Sequence, residues 1–216
     1  MDCKAVVFDL DGTLLDTIDD LADSMNAVLA ARGLPVHPVE SYKTFVGDGV
    51  VALVRRALPG GYVDANDLDT IVGEMRESYT QRWDNKSRPY DGVEAMLTEL
   101  ARRGVKLAVL SNKPHDFTQL CVERLLAGQR FDVVLGVSDA IPPKPQTLGA
   151  EHICKQLSVT PQQCVYLGDT NTDMKTGTAA GMFTVGCTWG FRSAEELRKN
   201  GADALVDHPS QILDLL

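Results

Sequence analysis

The order of patterns in this 216-residue chain predicts an α/β fold: a parallel β-sheet with helices on both faces, interrupted by an inserted helical block. Short apolar runs alternate with helical stretches from residue 92 onward, which is the signature of βαβ units. One further run, at residues 5–8, stands far upstream of the strands it needs as neighbours, with only helical patterning between. Acids, a hydroxyl and a lysine follow the ends of these runs, and open α/β sheets bind ligands outside the carboxyl ends of their strands.

The first run, Ala5, Val6, Val7 and Phe8, is short, β-branched and aromatic, which suits a strand buried on both faces. It ends in acid, and Asp11–Gly12 marks a turn. From Asp16 the period becomes helical: Ile18, Leu21, Met25, Val28 and Leu29 share a face, and Gly33 supplies a stop. Val50, Val51, Leu53, Val54, Ala57 and Leu58 form a second apolar face, ended by Pro59, Gly60 and Gly61. Leu68, Ile71, Val72, Met75, Tyr79 and Trp83 form a third. Residues 16–86 are therefore expected to be helical throughout, without a strand.

Past residue 92, a helix through Val93, Met96, Leu97 and Leu100 leads to a strand at 105–110. Helices at 114–126 and 147–157, and one ending at Gly181, then alternate with strands at 131–135, 164–167 and 182–187, with a last short strand at 204–206. The expected organisation is a Rossmann-like core of residues 1–15 plus 89–216 and an inserted α-helical cap of residues 16–88.

Composition narrows the function. Asp plus Glu outnumber Lys plus Arg by 30 to 21, for a net charge of −9, which argues against nucleic-acid binding because that needs a cationic face. The longest uncharged segment, 176–191, is broken by glycines and threonines, so no transmembrane helix and no membrane partner are expected. The acids in MDCKAVVFDLDGT speak against a secretory signal. Five scattered cysteines without a CxxC pair read as buried thiols of a cytoplasmic protein. Monomer and homodimer both stay open.

The strand ends hold the chemistry. Strand one runs into Asp9, Asp11 and Thr13; the strand at 105–110 into Ser111 and Asn112; the strand at 164–167 into Asp169, with Asp173 four residues on; Lys144 sits between Pro143 and Pro145. The four aspartates carry −4 when ionised, which close range forbids without compensation. A divalent cation and Lys144 supply +3, and protonating one carboxyl removes the remainder. Hard oxygen donors with no His or Cys among them suit Mg²⁺. The set suggests phosphoryl chemistry: a carboxylate nucleophile, a metal, and a lysine and hydroxyl for phosphate oxygens.

These residues also carry a resemblance. DLDGTLLDT from Asp9, Ser111 after a strand, Lys144 before a helix and GDTNTD from Gly168 match the four ordered motifs of the haloacid dehalogenase-like hydrolases, across the whole chain. The resemblance implies that Asp9 attacks phosphorus and becomes an aspartyl phosphate, while Asp11 protonates the leaving oxygen and then activates water. It implies that Ser111, Asn112 and Lys144 hold the phosphoryl group. Mg²⁺ would be held by Asp9, the carbonyl of Asp11 and Asp169, with Asp173 in support. A carboxylate at Asp11 points to a phosphatase, since relatives that cleave carbon–halogen bonds lack one there.

SYKTFVGDGVVALVRRALP, LSNKP and TWGFRSAEELRKNGADALVDHPSQIL further resemble bacterial phosphoglycolate phosphatases, which makes a small phosphate ester, phosphoglycolate first, the expected substrate. Pyrophosphate and broad phosphomonoester hydrolysis are near alternatives, and a sugar phosphomutase is a further one. Gly47 and Arg55 are the substrate-binding candidates in the cap, and Thr13 one in the core. Lys43, Arg55 and Lys113 are candidates for local positive potential.

Simpler readings compete at several positions. Asp173 also suits a first-turn helix acid, Ser111 an N-cap, and Thr13 a bond to its own turn. The four histidines are expected to face solvent in structural roles, with His115 the one placed near the site. Trp83 and Met75 read as helix-face core.

Overall fold

The computed structural model describes residues 2–61 and 64–216. Two compact units emerge, one ending at Leu15 and resuming over Pro89–Leu216, the other Asp16–Arg88.

The larger unit is built on six parallel strands. In chain order these are β1 (Ala5–Phe8), β4 (Lys106–Pro114), β5 (Val133–Val137), β6 (Cys164–Gly168), β7 (Phe183–Cys187) and β8 (Ala204–Val206), arranged β5-β4-β1-β6-β7-β8. All four residues of β1 are fully buried because its alternate side chains enter cores on both faces of the sheet. On one face Ala5 and Val7 join Ala108, Leu110, Tyr166, Ile153 and Leu157. The connecting helices are α5 (Val93–Arg102), α6 (His115–Leu125), α7 (Leu148–Leu157), α8 (Asn171–Ala180) and α9 (Ala194–Lys199).

Register decides where the site lies. Phe8 is level with Val109 of β4 and with Leu167 of β6, so Asp9, the segment from Leu110 and the segment from Gly168 leave the sheet together. β4 continues to Pro114 rather than ending at Leu110, and its pairing with β5 shifts between those residues. Ser111, Asn112 and Lys113 are thus buried within an irregular strand end, a polar stretch that apolar patterning does not reveal.

The smaller unit contains α1 (Ile18–Ala31), α2 (Val39–Phe45), α3 (Val50–Ala57) and α4 (Ala65–Thr80). It is not helical throughout. Two short paired strands, β2 (Leu15–Asp16) and β3 (Arg88–Pro89), lie where the chain leaves and re-enters the sheet unit. α2 was not legible as a helix, and α4 ends before Trp83, which lies half-buried in the turns that follow. Met75 is core, as its helix face requires.

Two polar devices hold this unit. Asp20 on α1 is buried, and its carboxylate accepts hydrogen bonds from the Lys86 and Ser87 main-chain N–H groups and from the Ser87 hydroxyl, at 2.7–3.1 Å. Asn26 accepts from the His37 main chain and the Tyr42 hydroxyl, and the His37 ring packs edge-on against Tyr42 and Phe45. His37 is half-buried and braces this unit, with Nε2 2.8 Å from Ala57 O; in the sheet unit His115, also half-buried, accepts the Gly136 N–H at Nδ1. No helix among the described residues is long and apolar enough to cross a membrane.

Candidate active site

Strand ends from across the sheet unit bring Asp9, Asp11, Ser111, Asn112, Lys144, Asp169 and Asp173 to one edge. Lys144 Nζ donates to Asp9 Oδ1 at 2.7 Å and to Asp173 Oδ1 at 2.6 Å, with all three side chains buried. Its aim is fixed from the main chain: Lys144 N donates to Asn112 Oδ1 at 2.7 Å, and Asn112 Nδ2 donates to Lys144 O at 3.2 Å. Among the described residues Lys144 is the one group bonded to the Asp9 carboxylate, through Oδ1; Oδ2 is left without a partner.

Asp169 is oriented by donors on either side. The Thr13 hydroxyl donates to Oδ1 at 3.0 Å and the Phe191 N–H to Oδ2 at 2.8 Å. Gly12 lies against this carboxylate at φ +89°, and a Cβ there would collide with Asp169 and Phe191. Thr13 is fully buried with its hydroxyl on Asp169. Asp173 does serve as a helix acid: it and Thr170 form a reciprocal capping box at the start of α8. Its other oxygen meets Lys144 and the Tyr166 hydroxyl, so one residue both caps a helix and joins the cluster. Ser111 is not an N-cap, a place Pro114 takes on α6; its Oγ accepts the Lys113 N–H at 3.2 Å.

Lys113 itself is the main residue that sequence reasoning underweighted. Its Nζ reaches Asp11 Oδ1 at 2.7 Å, and both side chains are largely buried. With all six groups charged, four aspartates and two lysines sum to −2, the charge that one divalent cation balances. Tyr166, Thr170 and the turn after β7, where Trp189 donates to Thr13 O, are the other supports. Lys113 and that turn lay within the LSNKP and TWGF motifs, the one signal that pointed to them.

Oxygen atoms of Asp9, Asp169 and Asp173 lie within 4.8 Å of one another, an all-carboxylate donor set that fits a hard divalent cation. The Asp11 carboxylate is not part of that triad. Burial and the charge of Asp173 push Asp9 from 3.8 up to about 7, against the pull of Lys144. Burial and the charges of Asp9 and Asp173 raise Asp169 as well. For Lys144, burial opposes the ammonium, but Asp173 and Asp9 overrule it and hold its pKa well above the usual lysine range.

The sign of the consequence is fixed. Folded Asp9 keeps its proton over a range where the unfolded chain has lost it, so its contribution to metal-free stability falls as pH rises from about 4 through about 7. Metal binding needs the ionised oxygens, so Mg²⁺ is expected to raise the melting temperature more at about pH 8 than at about pH 5.5. A thermal shift series checks this; equal shifts at both pH values would contradict the arrangement.

The haloacid dehalogenase-like hydrolase family matches residues 6–187. The chain belongs to that family. It is 32% identical to phosphoglycolate phosphatase of Psychrobacter arcticus, over all of this chain and 96% of that protein. It is also 32% identical to N-acetylmuramic acid 6-phosphate phosphatase of Pseudomonas aeruginosa, with the same two coverages. A solved Lactobacillus delbrueckii subsp. bulgaricus structure, provisionally named phosphoglycolate phosphatase, superposes with a TM-score of 0.93 at 32% identity, covering 100% of this chain and 98% of that one. Within the family the chain is a phosphoric monoester hydrolase, and the six-stranded parallel sheet with its helices is the family's Rossmann-like α/β fold.

In the helical unit, Gly47 has φ +119°, and Gly49, at φ +86°, precedes α3. Arg56 donates to Phe45 O and pairs with Asp48, which ties down the 45–49 loop. Lys43 pairs with Glu40. Arg55 is exposed and makes no hydrogen bond or ion pair among the described residues.

Proposed function

We propose that this phosphatase hydrolyses 2-phosphoglycolate through an aspartyl-phosphate intermediate with Mg²⁺ as cofactor. The observation that supports this most is Asp9: one carboxylate oxygen is held by Lys144 and the other has no partner among the described residues, two residues before a second carboxylate. Asp9 Oδ2 attacks phosphorus as the ester P–O bond breaks. Asp11 gives its proton to the leaving oxygen, then takes one from the water that attacks the aspartyl phosphate, so inorganic phosphate leaves and Asp9 is restored.

Ser111, the Asn112 main chain and Lys144 hold the non-bridging oxygens. Asp9, the Asp11 carbonyl and Asp169, with Asp173 in support, would hold Mg²⁺, which when bound would supply positive charge for the phosphoryl oxygens and relieve repulsion among the carboxylates. Asp16–Arg88 acts as a cap, in which Gly47 and Arg55 select the substrate. Four buried free cysteines accord with a reducing, cytoplasmic setting.

The Pseudomonas aeruginosa relative, at equal identity, favours a second reading, an N-acetylmuramic acid 6-phosphate phosphatase. Both named substrates bear a carboxylic acid on the leaving group. A panel of both, with pyrophosphate, sugar phosphates and an aryl phosphate, tested with Mg²⁺ and with chelator, decides between them. Phosphoglycolate is expected to lead; pyrophosphate leading, or phosphoryl transfer to a sugar, would replace the substrate assignment. Arg55→Ala is expected to raise KM for carboxylate-bearing substrates by about tenfold, near 1.4 kcal/mol of lost binding, with kcat little altered. An unchanged KM would remove Arg55 from substrate binding.

A further inference from the structure

We propose that Trp189 is a positioning residue for the cation site: its indole N–H holds the Thr13 main chain, the Thr13 hydroxyl aims Asp169, and this relay sets how tightly a divalent cation is bound. The inference rests on the Mg²⁺ reading above and deepens it.

Asp169 lies between two glycines on different segments. A Cβ at Gly12 would collide with its carboxylate, and one at Gly190 with both Asp169 and Gly12 O. The segment after β1 and the turn after β7 therefore meet at this side chain, and each supplies it with a donor. Thr13 Oγ1 donates to Oδ1 at 3.0 Å and Phe191 N to Oδ2 at 2.8 Å. Trp189 ties the two segments together, because its Nε1 donates to Thr13 O at 3.0 Å. That bond matters to the Thr13 main chain, whose own N–H makes a longer one, 3.3 Å to Leu10 O. The turn has its own footing: Thr188 N donates to Val206 O of β8, Phe191 is buried, and Arg192 pairs with Glu196 on α9.

What a cation needs from Asp169 is a carboxylate already in place. Oxygen atoms of Asp169, Asp9 and Asp173 lie within 4.8 Å of one another, close enough for the charges to repel. A side chain free to swing aside has to be drawn back against that repulsion before it binds metal. Donors on both oxygens remove the freedom in advance, and a carboxylate has acceptor positions to spare for the cation. The Phe191 donor belongs to the main chain of the turn, whereas the Thr13 donor is a hydroxyl on a neighbouring segment. Its placement depends on where Thr13 sits, which is what the indole bond fixes. Losing the indole N–H therefore weakens cation binding through Thr13, and has nothing further to weaken once the hydroxyl is gone.

Trp189→Phe keeps an aromatic ring and removes the donor; Thr13→Val keeps the branched shape and removes the hydroxyl, and Thr13→Ser keeps the hydroxyl. Metal-stripped proteins are titrated with Mn²⁺ without substrate, free Mn²⁺ being read by electron paramagnetic resonance. Trp189→Phe and Thr13→Val are each expected to raise Kd about tenfold, the double variant no more than about tenfold, and Thr13→Ser less than about threefold. Coupling is reciprocal, so Mg²⁺ is expected to slow exchange of the Trp189 indole proton in the wild type about tenfold and that of Trp83 much less. That NMR comparison needs no variant to fold, and Trp83, the other tryptophan, reports any stabilisation shared by the whole chain. A wild-type Kd for Trp189→Phe, a roughly hundredfold rise in the double variant, Thr13→Ser as weak as Thr13→Val, or equal slowing of both indoles would each overturn the relay. A wild-type protein that binds no Mn²⁺ would overturn the cation reading itself and the relay with it, a result distinct from these.

Discussion

Replacing Asp9 with Asn is expected to lower turnover by about 10⁴-fold or more, some 5–6 kcal/mol in the barrier, while the protein stays folded. The amide keeps the shape of the carboxylate but has no anionic oxygen to form a bond to phosphorus. The stability expectation runs the opposite way from activity. Burial and the charge of Asp173 push Asp9 up to about 7 against the pull of Lys144, so the native state is taxed by its ionisation. Removing the charge relieves that repulsion, and Lys144 retains Asp173 as a partner. The metal-free variant should therefore melt at or above the wild-type temperature near neutral pH, with a smaller Mg²⁺ shift. Turnover above about 1% of wild type would exclude the covalent route. A large drop in melting temperature would mean that Asp9 is structural and not a strained functional group.

The sheet was legible in the sequence because its strands are buried on both faces. Ala5, Val6, Val7 and Phe8, and likewise Val165, Tyr166 and Leu167, form continuous apolar runs for that reason. α2 was illegible because of its seven residues Tyr42 alone is fully buried, too little to set a period. The continuation of β4 through Ser111, Asn112 and Lys113 was hidden for a related reason. The Asn112 and Lys113 side chains are buried in bonds to Lys144 and Asp11, and a polar residue buried by a partner reads locally like a loop.

The site divides along the same line. Asp9, Asp169 and Lys144 follow strands or precede a helix in motifs that are contiguous in sequence. The Lys113–Asp11 pair joins residues 102 apart, and the Phe191 N–H reaches Asp169 from 22 residues on. Asp20 shows the same limit in the helical unit: it is a buried acceptor for residues 66 and 67 positions away.

Lys144→Met is expected to damage both activity and stability, and the two losses have separable causes. The ammonium lies between Asp9 and Asp173, with its side chain 3% exposed. Removing it leaves two buried carboxylates facing each other, with Asp169 close by. Breaking a buried pair in this way costs about 3–5 kcal/mol, or roughly 6–20 °C in melting temperature for a chain of this size. The deficit should be largest at high pH, where all the carboxylates are ionised, and should shrink toward about pH 5 as they take up protons.

Adding Asp173→Asn to Lys144→Met removes one of the stranded charges, and this double variant should regain much of the lost stability. It should regain none of the activity, because neither Met nor Asn can neutralise the phosphoryl oxygens. Differential scanning calorimetry of the four proteins in the cycle, without and with Mg²⁺, measures the coupling directly. Simple additivity of the two substitutions would show that Lys144 is not the charge that holds Asp9 and Asp173 together.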